Sequence, residues 1–205
     1  MKPLLVLLML LACAAGAGAQ APALKADPLA NVGGEEFDGR FLRLMMEHHR
    51  QGLEMARLAA ERSERDGLDE LAARMSGQLE KELAEMEQLA GRPGESRSGL
   101  GRAGGAAGTN PTPDRGGERP TATPEDDVAG RHAEAMARLR AAGGEEFDRL
   151  FLQEMTKHHH AGFELNQVAA GRAGDREVAA FARRSAAQQQ QDIEDMNARY
   201  AEWFR

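Results

Sequence analysis

The sequence has few aromatic residues and a single cysteine, and both scarcities exclude classes of protein. Aromatic residues make up 4% of the 205 residues. Sandwiches and barrels depend on aromatic and β-branched side chains, so an all-β fold is excluded. One cysteine, Cys13, cannot form an intramolecular disulfide. The net charge of −7 argues against binding to nucleic acid. The abundant residues, among them Ala, Glu, Leu and Arg, favour helix, so we expect an all-α protein.

The first nineteen residues are predicted to be an export signal. Lys2 precedes an apolar run over residues 4–11, which is too short to span a bilayer. Small residues end this segment at Ala19, as they do before a signal-peptide cleavage site. In the alternative interpretation, the four residues ending at Cys13 resemble a bacterial lipobox, and acylated Cys13 anchors the protein in the outer leaflet of a membrane. Both interpretations predict an exported protein, periplasmic or secreted, and both exclude cysteine chemistry in the fold.

The chain contains an internal duplication with an offset of 110 residues. The sequence Gly-Gly-Glu-Glu-Phe-Asp at 33–38 recurs at 143–148, and a Met-x-x-His-His motif recurs at 45–49 and 155–159. Between the copies, residues 91–124 hold nine Gly and five Pro. Such a composition cannot bury enough apolar surface to fold, so this segment is predicted to be a flexible linker.

Each copy is predicted to form a hairpin of two amphipathic helices. Apolar residues recur at steps of three and four, as they do on one face of an α-helix. Neither hairpin can bury its apolar stripe alone, so we expect the two to pair in a four-helix bundle; a homo-oligomer is the alternative. The predicted segments are a flexible N-terminus at 20–34, hairpin one at 35–90, the linker at 91–124, a short extra helix at 125–142 and hairpin two at 143–205.

Two histidine clusters carry the candidate chemistry. His48 and His158 occupy positions where the apolar period calls for Leu, and each is followed by a second histidine. Methionine precedes each pair by one turn, and the second helices add polar residues, including Glu82 and Gln189, to their inward stripes. The alternative is a structural or interaction protein whose histidines form a hydrogen-bonded polar core. The candidate metal ligands are Met45, His48, His49, Met86, Met155, His158, His159, Asp192 and Met196.

The donor types indicate which metal is expected. Imidazole and thioether without thiolate suit copper, whereas histidine with carboxylate leaves zinc as the alternative. The Glu-x-x-His of di-iron bundles is absent, because Met45 and Met155 stand three residues before His48 and His158. The zinc-protease motif and the serine nucleophile elbow are absent too, so no enzyme is predicted. A copper enzyme that cycles between oxidation states is a third interpretation.

The stretch Phe41-Leu42-x-x-Met45-x-x-His48-His49-x-x-Gly52-Leu53-Glu54-Met55-Ala56 resembles the signature of the bacterial family called domain of unknown function 305. Residues 151–169 and Asp192-Ile193-x-x-Met196 resemble it as well. The resemblance implies a ferritin-like, exported bundle, in a family that includes copper-binding proteins implicated in copper tolerance. It adds Met55 to the ligand set, whereas Leu165 replaces the equivalent methionine in the second copy. We therefore expect a non-catalytic protein for copper buffering, carriage or tolerance.

Overall fold

The computed structural model describes residues 29, 32–33, 35–92 and 124–204 of the chain. The predicted export signal, the candidate anchor at Cys13 and nearly all of the predicted linker lie outside this part. The predicted segment boundaries there stay predictions. The helices are α1 (Glu35–Arg62), α2 (Leu68–Gly91), α3 (Pro124–Ala141), α4 (Gly144–Arg172) and α5 (Arg176–Trp203). The described residues contain no strand, and none of their helices is long and apolar enough to cross a membrane.

Four of the helices form a bundle of two hairpins. Helix α1 packs on α2 and α4 packs on α5, while α1 also packs against α4, which joins the two copies. Helices α2 and α5 contact each other only sparsely. The prediction of an all-α, four-helix bundle built from two repeated hairpins is confirmed.

The first helix of each copy is hydrogen-bonded to the turn between the two helices of the other copy. Asp38, at the start of α1, accepts hydrogen bonds from the backbone N–H groups of Gly174 and Asp175, at 3.0 and 2.7 Å, in the α4–α5 turn. Its counterpart Asp148 accepts a hydrogen bond from Arg65 Nε, at 3.3 Å, in the α1–α2 turn. These reciprocal contacts fix the relative position of the two hairpins at both ends of the bundle.

Helix α3 lies outside the four-helix core, against α4. Arg62 donates hydrogen bonds to the carbonyl oxygens of Leu139, Arg140 and Ala142, at 2.7–3.1 Å. A cation at these C-terminal carbonyls satisfies groups that lack helical partners. Met136 and Leu139 of α3 are buried with residues of the bundle, so the extra helix covers part of its core.

Two apolar clusters fill the bundle, and a polar layer separates them. One cluster combines the later part of α1 and the early part of α4, and the other combines the early part of α1 and the later part of α4. The buried polar residues between them come from all four bundle helices. The half-buried His158 lies beside these buried residues. The members of this polar layer used below are His48, His49, Glu82, His158, His159, Asn166, Ser185, Gln189 and Asp192.

Candidate metal centre

The two histidines on the apolar stripes stack on each other where α1 meets α4. The ring centroids of His48 and His158 lie 3.7 Å apart and their planes differ by 8°. His158 Nε2 donates a hydrogen bond to the backbone carbonyl of His48 at 3.1 Å. The two copies therefore meet through their duplicated histidines at the centre of the bundle.

Two glycines make this stacking sterically feasible. A Cβ atom on Gly52 would lie 2.9 Å from His158 Cε1, and one on Gly162 would lie 2.5 Å from His48 Nε2. Both distances are below van der Waals contact, so each glycine accommodates the imidazole of the other copy. The reciprocal placement shows that α1 and α4 cross in antiparallel directions.

Burial keeps the stacked pair uncharged. Burial lowers the pKa of both His48 and His158 well below the usual value of 6.5, and neighbouring histidines lower each pKa further. A neutral imidazole has a lone pair on one ring nitrogen, which is the form that binds metal ions. At neutral pH both rings are therefore in a metal-binding state.

In the first copy, His49 is bound into a hydrogen-bond network. His49 Nε2 donates to Glu82 Oε2 at 2.7 Å, and Glu82 also accepts from Ser185 and Gln78, each at 2.7 Å. Asn166 donates to the Ser185 hydroxyl at 3.0 Å. Although burial alone would raise the pKa of Glu82, the hydrogen bond and charge of His49, with the other two donors, lower it. Glu82 is therefore a carboxylate held by three donors.

In the second copy, the equivalent residues His159 and Asp192 are not hydrogen-bonded to each other. His159 Nδ1 donates to the backbone carbonyl of Met155 at 3.1 Å, while His159 Nε2 lies 3.6 Å from Asp192 Oδ2, beyond hydrogen-bonding distance. Asp192 Oδ1 accepts from Gln188 at 3.2 Å. A cavity with room for about one water molecule adjoins this pair. Its lining comes from α2, α4 and α5: Met75, Gln78, Leu79, Glu82, His159, Gln188, Gln189 and Asp192.

Three imidazole nitrogens in the layer are buried without a hydrogen-bond partner. They are His48 Nε2, His49 Nδ1 and His158 Nδ1. Buried polar atoms are nearly always paired, so unpaired nitrogens in one layer are candidate metal donors. Among the described residues, however, no three His, Cys, Asp or Glu side chains are placed to hold one ion. The histidines are thus gathered in a layer but do not converge on a single point.

The predicted methionine ligands divide between the two apolar clusters. Met45 and Met86 of the first copy belong to one cluster. Met55 belongs to the other, together with Met155 and Met196 of the second copy. The antiparallel crossing explains this exchange, because the end of α1 that carries Met55 lies beside the start of α4. The assignment of all ten predicted residues as ligands stays a prediction.

The roles of several polar residues of this layer were not predicted. Glu82 and Gln189 lie on the inward stripes as expected, but the pairing of Glu82 with His49 was not predicted. Ser185 lies on its predicted inward stripe, but no partner was predicted for it, and Asn166 was not identified. The sequence does contain a signal for them, because each is polar where the other copy has an apolar residue. Asn166 corresponds to Ala56, and Ser185 corresponds to Met75.

The chain is similar to known proteins in both sequence and fold. The family model described as Domain of unknown function (DUF305) matches residues 14–90 and 100–200. Among curated proteins, none matches the chain. The fold is similar to that of the protein CopM in its Cu(I)-bound form, with a TM-score of 0.57 and 20% identity over 82% of this chain and 98% of that one. CopM has also been solved with Cu(II) and with Ag.

Two DUF305 structures are similar to the same extent. The protein from Streptomyces coelicolor gives a TM-score of 0.59 and 21% identity, over 82% of this chain and 92% of that one. A fragment from Deinococcus radiodurans gives 0.59 and 22%, over 80% and 95%. At these identities the likeness establishes a shared fold.

Proposed function

We propose that this chain, which belongs to the family described as Domain of unknown function (DUF305), is an exported copper-binding protein. It binds copper through the buried histidine layer and the methionines beside it. Its role is to buffer or carry the ion, with no catalytic turnover. The predicted signal at residues 1–19 supports export to the periplasm or beyond, with a lipid anchor at Cys13 as the alternative.

The unpaired nitrogens of His48, His49 and His158 carry this proposal. Leaving one buried polar atom without a partner costs about 1–3 kcal/mol, and three such atoms share one layer. Coordination to a metal ion would satisfy them. The rings of the stacked pair are neutral at neutral pH, since burial lowers the pKa of His48 and His158. They are therefore available as ligands without first losing a proton.

The other donors favour copper over harder ions. Methionine thioethers occupy both clusters beside the layer, and soft sulfur with imidazole is the donor set that copper prefers. Zinc, with histidine and carboxylate, is the alternative cargo. The CopM structures with Cu(I), Cu(II) and Ag support the proposal by analogy of fold.

The stacking suggests the number of ions. A metal ion binds imidazole in the plane of the ring, at about 2.0–2.1 Å from the nitrogen. The planes of His48 and His158 are nearly parallel and their centroids are 3.7 Å apart, so one ion cannot lie in both planes. We therefore expect at least two ions per chain, one for each copy.

A second candidate function is a bundle whose histidines serve stability alone. The network of His49, Glu82, Ser185 and Asn166 favours it, because these side chains hydrogen-bond to one another without a metal. This alternative predicts no copper binding and a melting temperature that copper does not change.

Copper stoichiometry separates the two functions. The protein would be loaded with Cu(I), dialysed, and its copper content measured per chain. We expect two or more ions in the wild type and a loss of most of them when His48, His49, His158 and His159 are replaced by Ala. The matched control replaces His132 and His160, which lie outside the layer, and should bind as the wild type does. Unchanged stoichiometry in a folded four-histidine variant would refute the proposal.

A further inference from the structure

We infer that His159 and Asp192 form a site for a divalent cation of the borderline class, such as Zn²⁺ or Cu²⁺, in the cleft between α2 and α5. The inference rests on the proposed metal-binding function and refines it. It assigns one half of the layer to nitrogen and oxygen coordination of a divalent ion. Thioether coordination of Cu(I) would then belong to other parts of the layer.

The hydrogen bond of His159 determines which of its ring nitrogens carries the hydrogen. Its Nδ1 donates to the Met155 carbonyl at 3.1 Å, so Nδ1 carries the hydrogen. In the neutral ring, Nε2 then has the lone pair. That lone pair lies 3.6 Å from Asp192 Oδ2, which is also an acceptor. Two acceptors that face each other inside a protein need a proton, a bridging water or a cation between them.

The spacing fits a cation. Zinc bonds to imidazole nitrogen and carboxylate oxygen are each about 2.0–2.2 Å long. Two such bonds spanning the observed 3.6 Å subtend an angle of about 110–130° at the ion, at or somewhat above the tetrahedral value. The His159 and Asp192 side chains are 4% and 10% exposed, so water competes weakly for them.

The cavity beside the pair supplies room and further donors. Glu82 lines it from α2, and the amides of Gln188 and Gln189 line it from α5. No third His, Cys, Asp or Glu among the described residues completes the site as it stands. An ion here would thus take His159 and Asp192 as its protein ligands, with water or amide oxygens in the remaining positions.

On this inference, an ion would enter between α2 and α5. Helices α2 and α5 contact each other sparsely, and exposed ion pairs bridge them on either side of the cavity. Arg74 pairs with Asp195 on one side, and Glu85 pairs with Arg184 on the other. The cavity residues of both helices lie between these two bridges in sequence.

The equivalent pair of the first copy provides an internal contrast. His49 Nε2 donates to Glu82 Oε2 at 2.7 Å, which is an ordinary charge-assisted hydrogen bond. The proton occupies the position that a cation would take. The histidine and the carboxylate are therefore hydrogen-bonded to each other in the first copy and are not hydrogen-bonded in the second.

Zinc titration calorimetry on the metal-free protein tests the inference, because Zn²⁺ has no redox chemistry. We expect Asp192→Asn to weaken Zn²⁺ binding by more than the roughly 10–100-fold that loss of an outer-shell partner costs. The matched control is Asp195→Asn, the same change three residues away on α5 at an exposed ion pair. It should leave the Zn²⁺ affinity unchanged. Ag⁺, a soft probe, should bind both variants as it binds the wild type.

The outcomes separate this inference from the proposed function. Equal Zn²⁺ affinity in Asp192→Asn and wild type, or no Zn²⁺ binding to the wild type, would overturn the inference. If Ag⁺ still binds, the proposed function stands without it. If the wild type binds neither Ag⁺ nor Cu(I), the proposed function fails.

A second measurement needs no variant, in case Asp192→Asn does not fold. Long-range ¹H–¹⁵N spectra of the wild type report which ring nitrogen of each histidine carries hydrogen. We expect His159 to be the Nδ1–H tautomer and its Nε2 resonance to shift on addition of Zn²⁺. A doubly protonated His159 that Zn²⁺ does not perturb would overturn the inference.

Discussion

The two halves of the polar layer derive from one duplicated sequence, yet they differ at the same pair of positions. His49 and Glu82 form a hydrogen bond of 2.7 Å, whereas His159 and Asp192, each 110 residues later, lie 3.6 Å apart. Aspartate is one methylene shorter than glutamate, and a cavity adjoins the longer gap. The duplication has kept the histidines and changed what surrounds them.

The supporting residues differ in polarity as well. In the second copy, three inward positions carry polar side chains that bond to one another and to Glu82, whereas the first copy has apolar residues there. The two sets are Asn166, Ser185 and Gln189 against Ala56, Met75 and Leu79. A shared motif therefore does not imply shared chemistry, because the helices of the two copies supply different partners to it.

The largest difference between the halves should appear when each carboxylate is neutralised. Glu82→Gln replaces one carboxylate oxygen by an NH2 group that cannot accept, so at least one of the three donors loses its partner. With the loss of the negative charge at this site, we expect the free energy of unfolding to fall by about 2–3 kcal/mol. Asp192→Asn loses no hydrogen bond to His159 and should cost less than about 1 kcal/mol. Urea unfolding of the metal-free variants measures both. Equal losses would show that the two halves are not distinct.

The stacked pair, where the halves are alike, should make stability depend on pH. The folded-state pKa of His48 and His158 lies below the unfolded value near 6.5, so the unfolded chain binds protons first as pH falls. Stability should therefore be fully present above pH 6.5. It should then fall by about 1 kcal/mol per pH unit for each histidine, until the folded-state pKa is reached.

Urea midpoints at pH 7.5 and 5.5 measure this slope in the metal-free protein. His48→Gln and His158→Gln should each remove about half of it. The pH range from 7.5 to 5.5 lies above the pH at which Glu82 is protonated. In stronger acid, the lowered pKa of Glu82 would make the free energy of unfolding fall further. A flat profile, or a slope that depends on one histidine alone, would contradict the symmetry of the pair.

The two glycines should also respond unequally. Alanine is the better helix former by about 1 kcal/mol, which opposes any steric cost. A Cβ on Gly162 would meet both His48 and Gln189 at 2.5–2.8 Å, whereas one on Gly52 would meet His158 at 2.9 Å. We expect Gly162→Ala to destabilise by about 1–2 kcal/mol and Gly52→Ala to be nearly neutral. Thermal melts of the two variants check this, and the reverse order would refute the close packing of His48 and Gln189 against Gly162.

The smallest effect should come from making the halves alike. Asp192→Glu adds the missing methylene beside a cavity and lets the carboxylate reach His159. We expect metal-free stability to rise by about 1 kcal/mol, the usual net value of a hydrogen bond. Asp195→Glu, at a half-exposed ion pair on the same helix, is the control and should be nearly neutral. A loss of stability in Asp192→Glu would show that the cavity cannot accept the longer side chain.

The helices and their buried faces could be read from the sequence, because apolar period and repeat both depend on local spacing. Phe41 and Phe151, for example, are equivalent in the repeat and both are fully buried. The antiparallel crossing of the two copies could not be read, since it depends on how two distant stripes pack. For this reason the stacking of His48 on His158 was not predicted.

Side-chain pairing was beyond sequence reasoning for a second reason. The sequence pattern places Glu82 and Asp192 at equivalent positions on the inward stripes and gives no reason to expect different contacts for them. Whether a carboxylate lies 2.7 or 3.6 Å from a histidine depends on one methylene and on the packing of neighbours such as Leu79. These are properties of the folded core rather than of the pattern.

Copper-dependent thermal unfolding tests the central claim, that the buried histidine layer binds copper. The metal-free protein would be melted alone and with Cu(I) at a hundred times its dissociation constant. A ligand of the native state then adds about 2.7 kcal/mol, which should raise the midpoint by about 5–10 °C. We predict this rise for the wild type and none for the variant with His48, His49, His158 and His159 replaced. An equal rise in both proteins, or none in the wild type, would contradict the account.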